Sequence, residues 1–330
     1  MALLPLTLAV TMLDRTRAVL DGTIRPEGLD LNCLPLSAEE IFWRMNRHEE
    51  FDAAEMSGTA YFIERSRPHP RFLAMPVFLS RAFRHSGIYV HANSGIARPE
   101  DLIGRRVGAP EYAVTAITWI RGMLQHEYGI HPGQLSWLIG GQEVPGREER
   151  AHFTPPPGVS IEPLPPGETL NHMLVNGEID ALFAPRIPRP FAEGNPAVRR
   201  LFPDVRRVEE DYYQRTSIFP IMHILVIKEE IHRQHPWVAE SLYKAFRRAK
   251  DECLQAMYDA TAYPCSLPWF IQEIEQERAV FGHDLWPYGI EPNRPTIEAM
   301  VQYHVEQGLI PKPIPIEALF APSTVNEFRV

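Results

Sequence analysis

The ten residues from Arg106 to Thr115 constrain the fold of this chain more than any other stretch. Val107, Gly108 and Ala109 read as a short buried strand, and Pro110 marks a tight turn. A helix begins at once, with apolar residues at Ile117, Ile120, Leu124 and Tyr128, close to helical spacing. Gly129 and Pro132 stop it. A strand that feeds a helix this directly belongs in a parallel α/β sheet. It also leaves backbone N–H groups at the strand's end, where the helix dipole suits an anion. Taken alone, the same residues are an ordinary strand-to-helix junction.

The rest of the chain follows the same pattern. Strands are predicted over 4–10, 29–34 and 51–56, separated by helical segments, with Ser37 and Glu40 forming a capping box for a helix through Arg47. Residues 71–79, 86–91, 137–139 and 179–184 are extended, and the proline-rich segment 144–166 reads as a surface loop. From Pro236 onward the character is helical, with Val238, Leu242, Phe246, Ala249, Cys253 and Met257 on one face. Two extended runs without turn signals, 86–91 and 217–227, bracket the middle of the chain. They predict a two-domain α/β protein whose chain crosses over twice. Domain one is 1–85 plus 222–330, and domain two is 86–221.

Several chemistries are excluded by spacing. His126 and His131 miss the metalloprotease helix pattern by one position, and Gly129 breaks the helix between them. Gly141 to Glu148 has the glycines of a phosphate loop but Arg147-Glu148 where Lys-Ser/Thr is required. No dinucleotide fingerprint follows a strand, and there is no nucleophile elbow. A net charge of −9 without a basic stripe argues against nucleic acid. Cys33, Cys253 and Cys265 lack both zinc spacing and the number for a disulfide framework, which suits a reducing compartment. Residues 2–10 are apolar but short, without a basic flank or a cleavage site, and read as the first strand, not an export signal. No run approaches the ~18 apolar residues of a membrane span. The expectation is a cytoplasmic protein without a membrane partner.

What remains is a set of polar residues at predicted strand ends: Asp14 and Arg15, Ser57, Arg84 and His85, Glu111 through Thr115, Arg186 and His223. Ligands of open α/β sheets bind outside the carboxyl ends of the strands. Two such domains facing each other would gather these residues in one cleft.

The segment Pro99-Glu100-Asp101-Leu102-Ile103-Gly104-Arg105-Arg106-Val107-Gly108 resembles the type II periplasmic-binding-protein fold. More of the chain resembles an enzyme branch of that fold, the 4,5-dihydroxyphthalate decarboxylases. The matching stretches are Phe83-Arg84-His85-Ser86, residues 108–119, Leu201-Phe202-Pro203-Asp204, Ile218-Phe219-Pro220-Ile221-Met222-His223, Trp286-Pro287-Tyr288-Gly289 and Leu319-Phe320-Ala321-Pro322-Ser323-Thr324. The resemblance implies a type II periplasmic-binding-protein-like fold with a ligand cleft between its domains. It also implies a cytosolic step of phthalate catabolism that yields protocatechuate.

That chemistry sets its own demands. Loss of CO2 from an aromatic ring is easiest after the ring carbon is protonated, because the substrate's own para hydroxyl then serves as electron source and no cofactor is expected. A cationic clamp must hold the spectator carboxylate, for which Arg is suited by its fork. Arg84 and Arg186 are the expected clamp, with Arg15 in reserve and Ser57, Tyr112 and Thr115 assisting. Proton transfer falls to His85 and His223, with Glu111 as second choice if burial raises it. No metal site is expected, since the histidines show no paired ligand spacing, although a metal-assisted decarboxylase is an alternative. The rival from another class is a non-catalytic solute-binding protein for an aromatic carboxylate. The partner is a small aromatic dicarboxylate in either case. The apolar tail 314–320 could pack on its own domain or on a second subunit, which leaves a homo-oligomer open.

Overall fold

A computed structural model describes residues 2–259 and 261–325. The chain opens with β1 (Leu4–Val10), α1 (Arg17–Leu20), β2 (Leu29–Pro35), α2 (Ala38–His48), β3 (Ala53–Ser57), α3 (Gly58–Arg65) and β4 (Phe72–Arg81). Its middle holds β5 (Ile88–His91), β6 (Arg106–Ala109), α4 (Thr115–Tyr128), β7 (Ser136–Ile139), β8 (Ile161–Pro163) and α5 (Leu170–Val175). There follow β9 (Ala181–Phe183), α6 (Arg189–Ala192), β10 (Val198–Arg200) and α7 (Val205–Thr216). It ends with β11 (Ile221–Lys228), α8 (Glu229–Gln234), α9 (Trp237–Tyr258), α10 (Phe270–Phe281) and α11 (Arg294–Glu306).

Two compact units result. The first comprises residues 1–81, 223–297 and 314–330, and the second 82–222 and 298–313. The sequence reading placed the divisions at 85/86 and 221/222 and gave the whole C-terminus to the first domain. The difference is largest at 298–313, and its cause is polar packing on α4. The Gln307 side chain accepts from Arg121 Nε at 2.9 Å and donates to the Thr118 carbonyl at 2.9 Å. Helical periodicity shows that such a face is buried but not which unit buries it.

The sheet of the first unit has the order β2-β1-β3-β11-β4. β1 is parallel to β2 and β3, whereas β11 runs antiparallel to β3 with His223 opposite Ser57 and Leu225 opposite Glu55. β4 is buried at nine of its ten residues, as expected for a strand covered on both faces. The predicted stripe of α9 is buried at Val238, Leu242, Phe246 and Ala249 and only partly at Cys253 and Met257. The apolar tail packs on its own unit. The Tyr61 hydroxyl donates to the Leu319 carbonyl and accepts from the Ala74 N–H, and Phe320 bridges to Ala74.

The sheet of the second unit has the order β10-β5-β9-β6-β7-β8, with β6 parallel to β7 and β9 and β5 antiparallel to β9. Gly129 ends α4 at φ 67°, as its sequence predicts. Gly122 lies where a Cβ would stand 2.0 Å from the Tyr303 ring, so only glycine lets α11 approach α4 this closely. The helix α7 was not foreseen. Its sequence is strongly polar and only Tyr212 is buried, so the apolar period is missing. The strands β8 and β10, three residues each, were also not foreseen, and β8 lies within the proline-rich segment.

Candidate active site

In the first unit, β3 carries a glutamate between the apolar residues Ala54 and Met56. Glu55 is 1% exposed. Side chains two apart on a strand share a face, so Glu55 and Ser57 lie on the face that β11 lines with His223 and Leu225. Diagonal neighbours on that face are in reach, and Glu55 Oε1 meets His223 Nδ1 at 2.5 Å. The second carboxylate oxygen accepts the Thr11 N–H at 2.8 Å, just past the end of β1. Burial pushes the Glu55 carboxyl up, but the bonds from His223 and Thr11 outweigh it and hold it below the usual carboxylate range. A carboxylate only accepts, so Nδ1 carries the proton. The Phe42 ring meets the imidazole edge-on at 4.9 Å. The His223 side chain is 24% exposed, and its Nε2 has no hydrogen-bond partner among the described residues. Glu55 was missed in the sequence. Its signal was the single charge inside Ala53-Ala54-Glu55-Met56, because a buried carboxylate needs a partner.

Two other predicted residues belong to this unit. Ser57 stands directly opposite His223, at the end of β3 and the N-cap position of α3. Arg15 is committed to local structure: its guanidinium donates to the Leu79 carbonyl, pairs with Asp14 at 2.9 Å and lies 4.0 Å over the Trp286 ring.

In the second unit, Arg84 is a half-buried cation. Nε donates to Met222 Sδ at 3.1 Å and Nη1 to the Pro185 carbonyl at 3.3 Å, and neither acceptor is an anion. Burial brings its guanidinium down to about 10, against a weaker opposing pull from Glu209. His85, next to it, is 1% exposed and wedged between the rings of Phe202 and Tyr212, at 5.3 and 5.2 Å. Burial, helped by the charge of Arg215, drops its imidazole to about 4, so it is neutral at physiological pH. Arg186 is exposed beyond β9, and its carbonyl accepts from Gln142.

The opening turn does bind an anion, and the anion comes from the chain itself. The Tyr112 and Ala113 N–H groups donate to Glu149 Oε2 at 2.5 and 3.2 Å. Burial, and then the nearby Glu111, raise the Glu149 carboxyl. In return Glu111 pairs with Arg147 and Arg150, both at 2.7 Å. The run that failed as a phosphate loop therefore laces the proline-rich segment onto the turn. Tyr112 is fully buried, its ring stacked on Phe153 at 5.2 Å and covered by the Arg121 guanidinium at 3.5 Å. Thr115 is the first residue of α4 and is buried. Glu111, Tyr112 and Thr115 thus sit in the packed turn of the second unit.

Among the described residues, no group of three or more His, Cys, Asp and Glu side chains is placed to hold a metal ion, and no helix is long and apolar enough to cross a membrane.

Among solved structures, the chain is similar to a periplasmic sulfonate-binding protein from Methylobacillus flagellatus. The identity is 13% and the TM-score 0.57, with coverage of 96% of this chain and 91% of that one. It is also similar to the periplasmic aliphatic sulphonate binding protein of Escherichia coli. There the identity is 13% and the TM-score 0.52, covering 99% and 94%. At these identities the likeness is one of fold, and it is the two-domain binding-protein fold expected from the sequence. No protein-family model matches. Among curated proteins, the 4,5-dihydroxyphthalate decarboxylase of Pseudomonas putida is 38% identical over 214 residues, 65% of this chain and 83% of that one. The 4,5-dihydroxyphthalate decarboxylase of Comamonas testosteroni is 36% identical over 330 residues, all of both chains. A match of that identity, end to end, places the chain in the 4,5-dihydroxyphthalate decarboxylase family.

Proposed function

We propose that this protein is a carboxy-lyase that converts 4,5-dihydroxyphthalate to protocatechuate in the cytoplasm, as a step of phthalate catabolism. The observation that carries the reading is the 36% identity across all 330 residues to a decarboxylase of that substrate.

The chemistry divides between two residues. His223, as imidazolium, gives its Nε2 proton to the ring carbon that bears the departing carboxylate. The hydroxyl para to that carbon pushes electron density into the ring as the new C–H bond forms. The C–COO⁻ bond then breaks, CO2 leaves, and the electron pair returns to the ring and restores aromaticity. One proton is consumed for each CO2, and water returns it to Nε2. The substrate supplies its own electron sink. Arg84 holds the spectator carboxylate, a role supported by its uncharged acceptors: a carboxylate forms stronger, charge-assisted bonds than a thioether or a carbonyl.

The test is to incubate purified protein with 4,5-dihydroxyphthalate, with and without a strong chelator, and to follow CO2 and protocatechuate. Product in both arms is expected. Binding without product would identify a carrier, and product lost only with chelator would identify a metal enzyme. Arg84→Ala is expected to raise KM by about 10- to 100-fold, the loss of one or two charge-assisted hydrogen bonds. An unchanged KM would remove Arg84 from the clamp.

A further inference from the structure

We propose that Glu55 is the positioning residue of the proton-transfer histidine, fixing the proton on His223 Nδ1 so that Nε2 is the atom that gives up and regains the reaction proton. The proposal rests on the assignment of His223 above and goes beyond it. It names the atom, and it names a partner 168 residues away in sequence.

Three observations carry it. The contact is short, 2.5 Å, and Glu55 is the only hydrogen-bonding or ionic partner of the imidazole among the described residues. The carboxylate is itself held, because its other oxygen accepts the Thr11 N–H at 2.8 Å. A buried carboxylate fixed at both oxygens cannot rotate away from the ring. Finally, Glu55 and His223 sit on adjacent strands in the interior of a five-stranded sheet, so their separation is set by backbone pairing. Rigid elements hold such pairs better than loops. Burying a carboxylate is unfavourable unless it is paired, and a purely structural role here would be served by an apolar residue.

The arrangement also says what a neutral substitute does. Glutamine has one acceptor oxygen where glutamate has two. If that oxygen serves the Thr11 N–H, the amide NH2 faces Nδ1 and forces the proton to Nε2 in the neutral ring. It also places a donor against the imidazolium. If the oxygen serves Nδ1, the NH2 meets the Thr11 N–H, donor against donor. Either way the imidazolium loses its counter-charge.

Glu55→Gln is therefore expected to lower kcat at neutral pH by about 10- to 100-fold with KM within about threefold, because the imidazole loses the acceptor that orients it and fixes its proton on Nδ1. The readout is kcat per folded molecule, taken separately from KM. Glu55→Asp keeps the charged acceptor and restores part of the lost kcat. A residue of merely structural importance would lower the amount of folded enzyme without lowering kcat per folded molecule. His223→Gln is measured alongside. If His223→Gln is inactive while Glu55→Gln keeps the wild-type kcat, the positioning role is overturned and the histidine assignment stands. If His223→Gln turns over normally, both fall. Should Glu55→Gln not fold, nitrogen NMR of the wild-type imidazole decides: neutral His223 protonated at Nδ1 supports the proposal, and protonation at Nε2 overturns it.

Discussion

Lowering the pH from about 7.5 to about 5 tests how tightly the second unit is closed around its histidines. His85 and His304 are both buried, and both imidazoles are pushed down to about 4, chiefly by burial. His304 lies in α11 with its Nδ1 2.6 Å from the Met300 carbonyl, and the charge of Arg121 adds to the depression. In the unfolded chain each titrates at its ordinary 6.5. The unfolded state therefore binds more protons between those values. Stability is fully present above about 6.5 and is lost as the pH falls toward 4. The full shift corresponds to about 3 kcal/mol per histidine, of which about 2 kcal/mol is lost between pH 7.5 and 5. Two of them remove about 4 kcal/mol, a large part of the ~5–15 kcal/mol that holds a typical domain together. Glu149 and Glu209, raised by burial, work the other way and blunt the loss, since protonation relieves their penalty. Urea unfolding followed by circular dichroism at the two pH values measures it. His304→Leu removes one titrating group and should recover about 2 kcal/mol of the acid loss, whatever its own stability at pH 7.5. If His304→Leu loses as much stability as wild type between the two pH values, the reasoning is refuted.

Two further outcomes follow from packing. Glu149→Ala strips the acceptor from the Tyr112 and Ala113 N–H groups. It should destabilise by about 1–3 kcal/mol and speed proteolytic cleavage within 144–166, with an unchanged cleavage rate counting against the lacing. Gly122→Ala should be destabilising by about 1–3 kcal/mol or more, because its Cβ would enter the Tyr303 ring. Thermal melts measure this, and a wild-type melt would show that α11 shifts freely.

The strand–helix alternation of the first unit was legible because each strand carries its own apolar run. The glycine stop of α4 and the Ser37 cap, whose hydroxyl accepts the Glu40 N–H, were legible for the same local reason. The long-range pairs were not. Glu55 and His223 are joined only by the register of β3 on β11. Glu149 meets Tyr112 through a loop whose proline-rich sequence says nothing about where it returns. The sequence reading offered the N–H groups at the opening turn to a ligand's carboxylate, whereas the Tyr112 and Ala113 N–H groups donate to Glu149, a pairing that depends on that return. His85 and His223 look alike in sequence. Burial separates them, leaving one neutral among aromatic rings and the other partly exposed beside a carboxylate.

The order of strands in the first sheet has a consequence for synthesis. β11 lies between β3 and β4, yet the whole of residues 82–222 is made between β4 and the part of β11 that pairs with β3. As the chain emerges, the first four strands have a vacant central lane, with the facing edges of β3 and β4 unpaired. The second unit's sheet, by contrast, is complete once β10 has appeared. The middle of the chain therefore completes its sheet first, while the first unit's sheet waits on a closure over a long loop, a slow kind of contact. Open strand edges invite wrong pairing. The nascent N-terminal sheet is thus the point at which a ribosome-bound chain of this family most needs protection from aggregation.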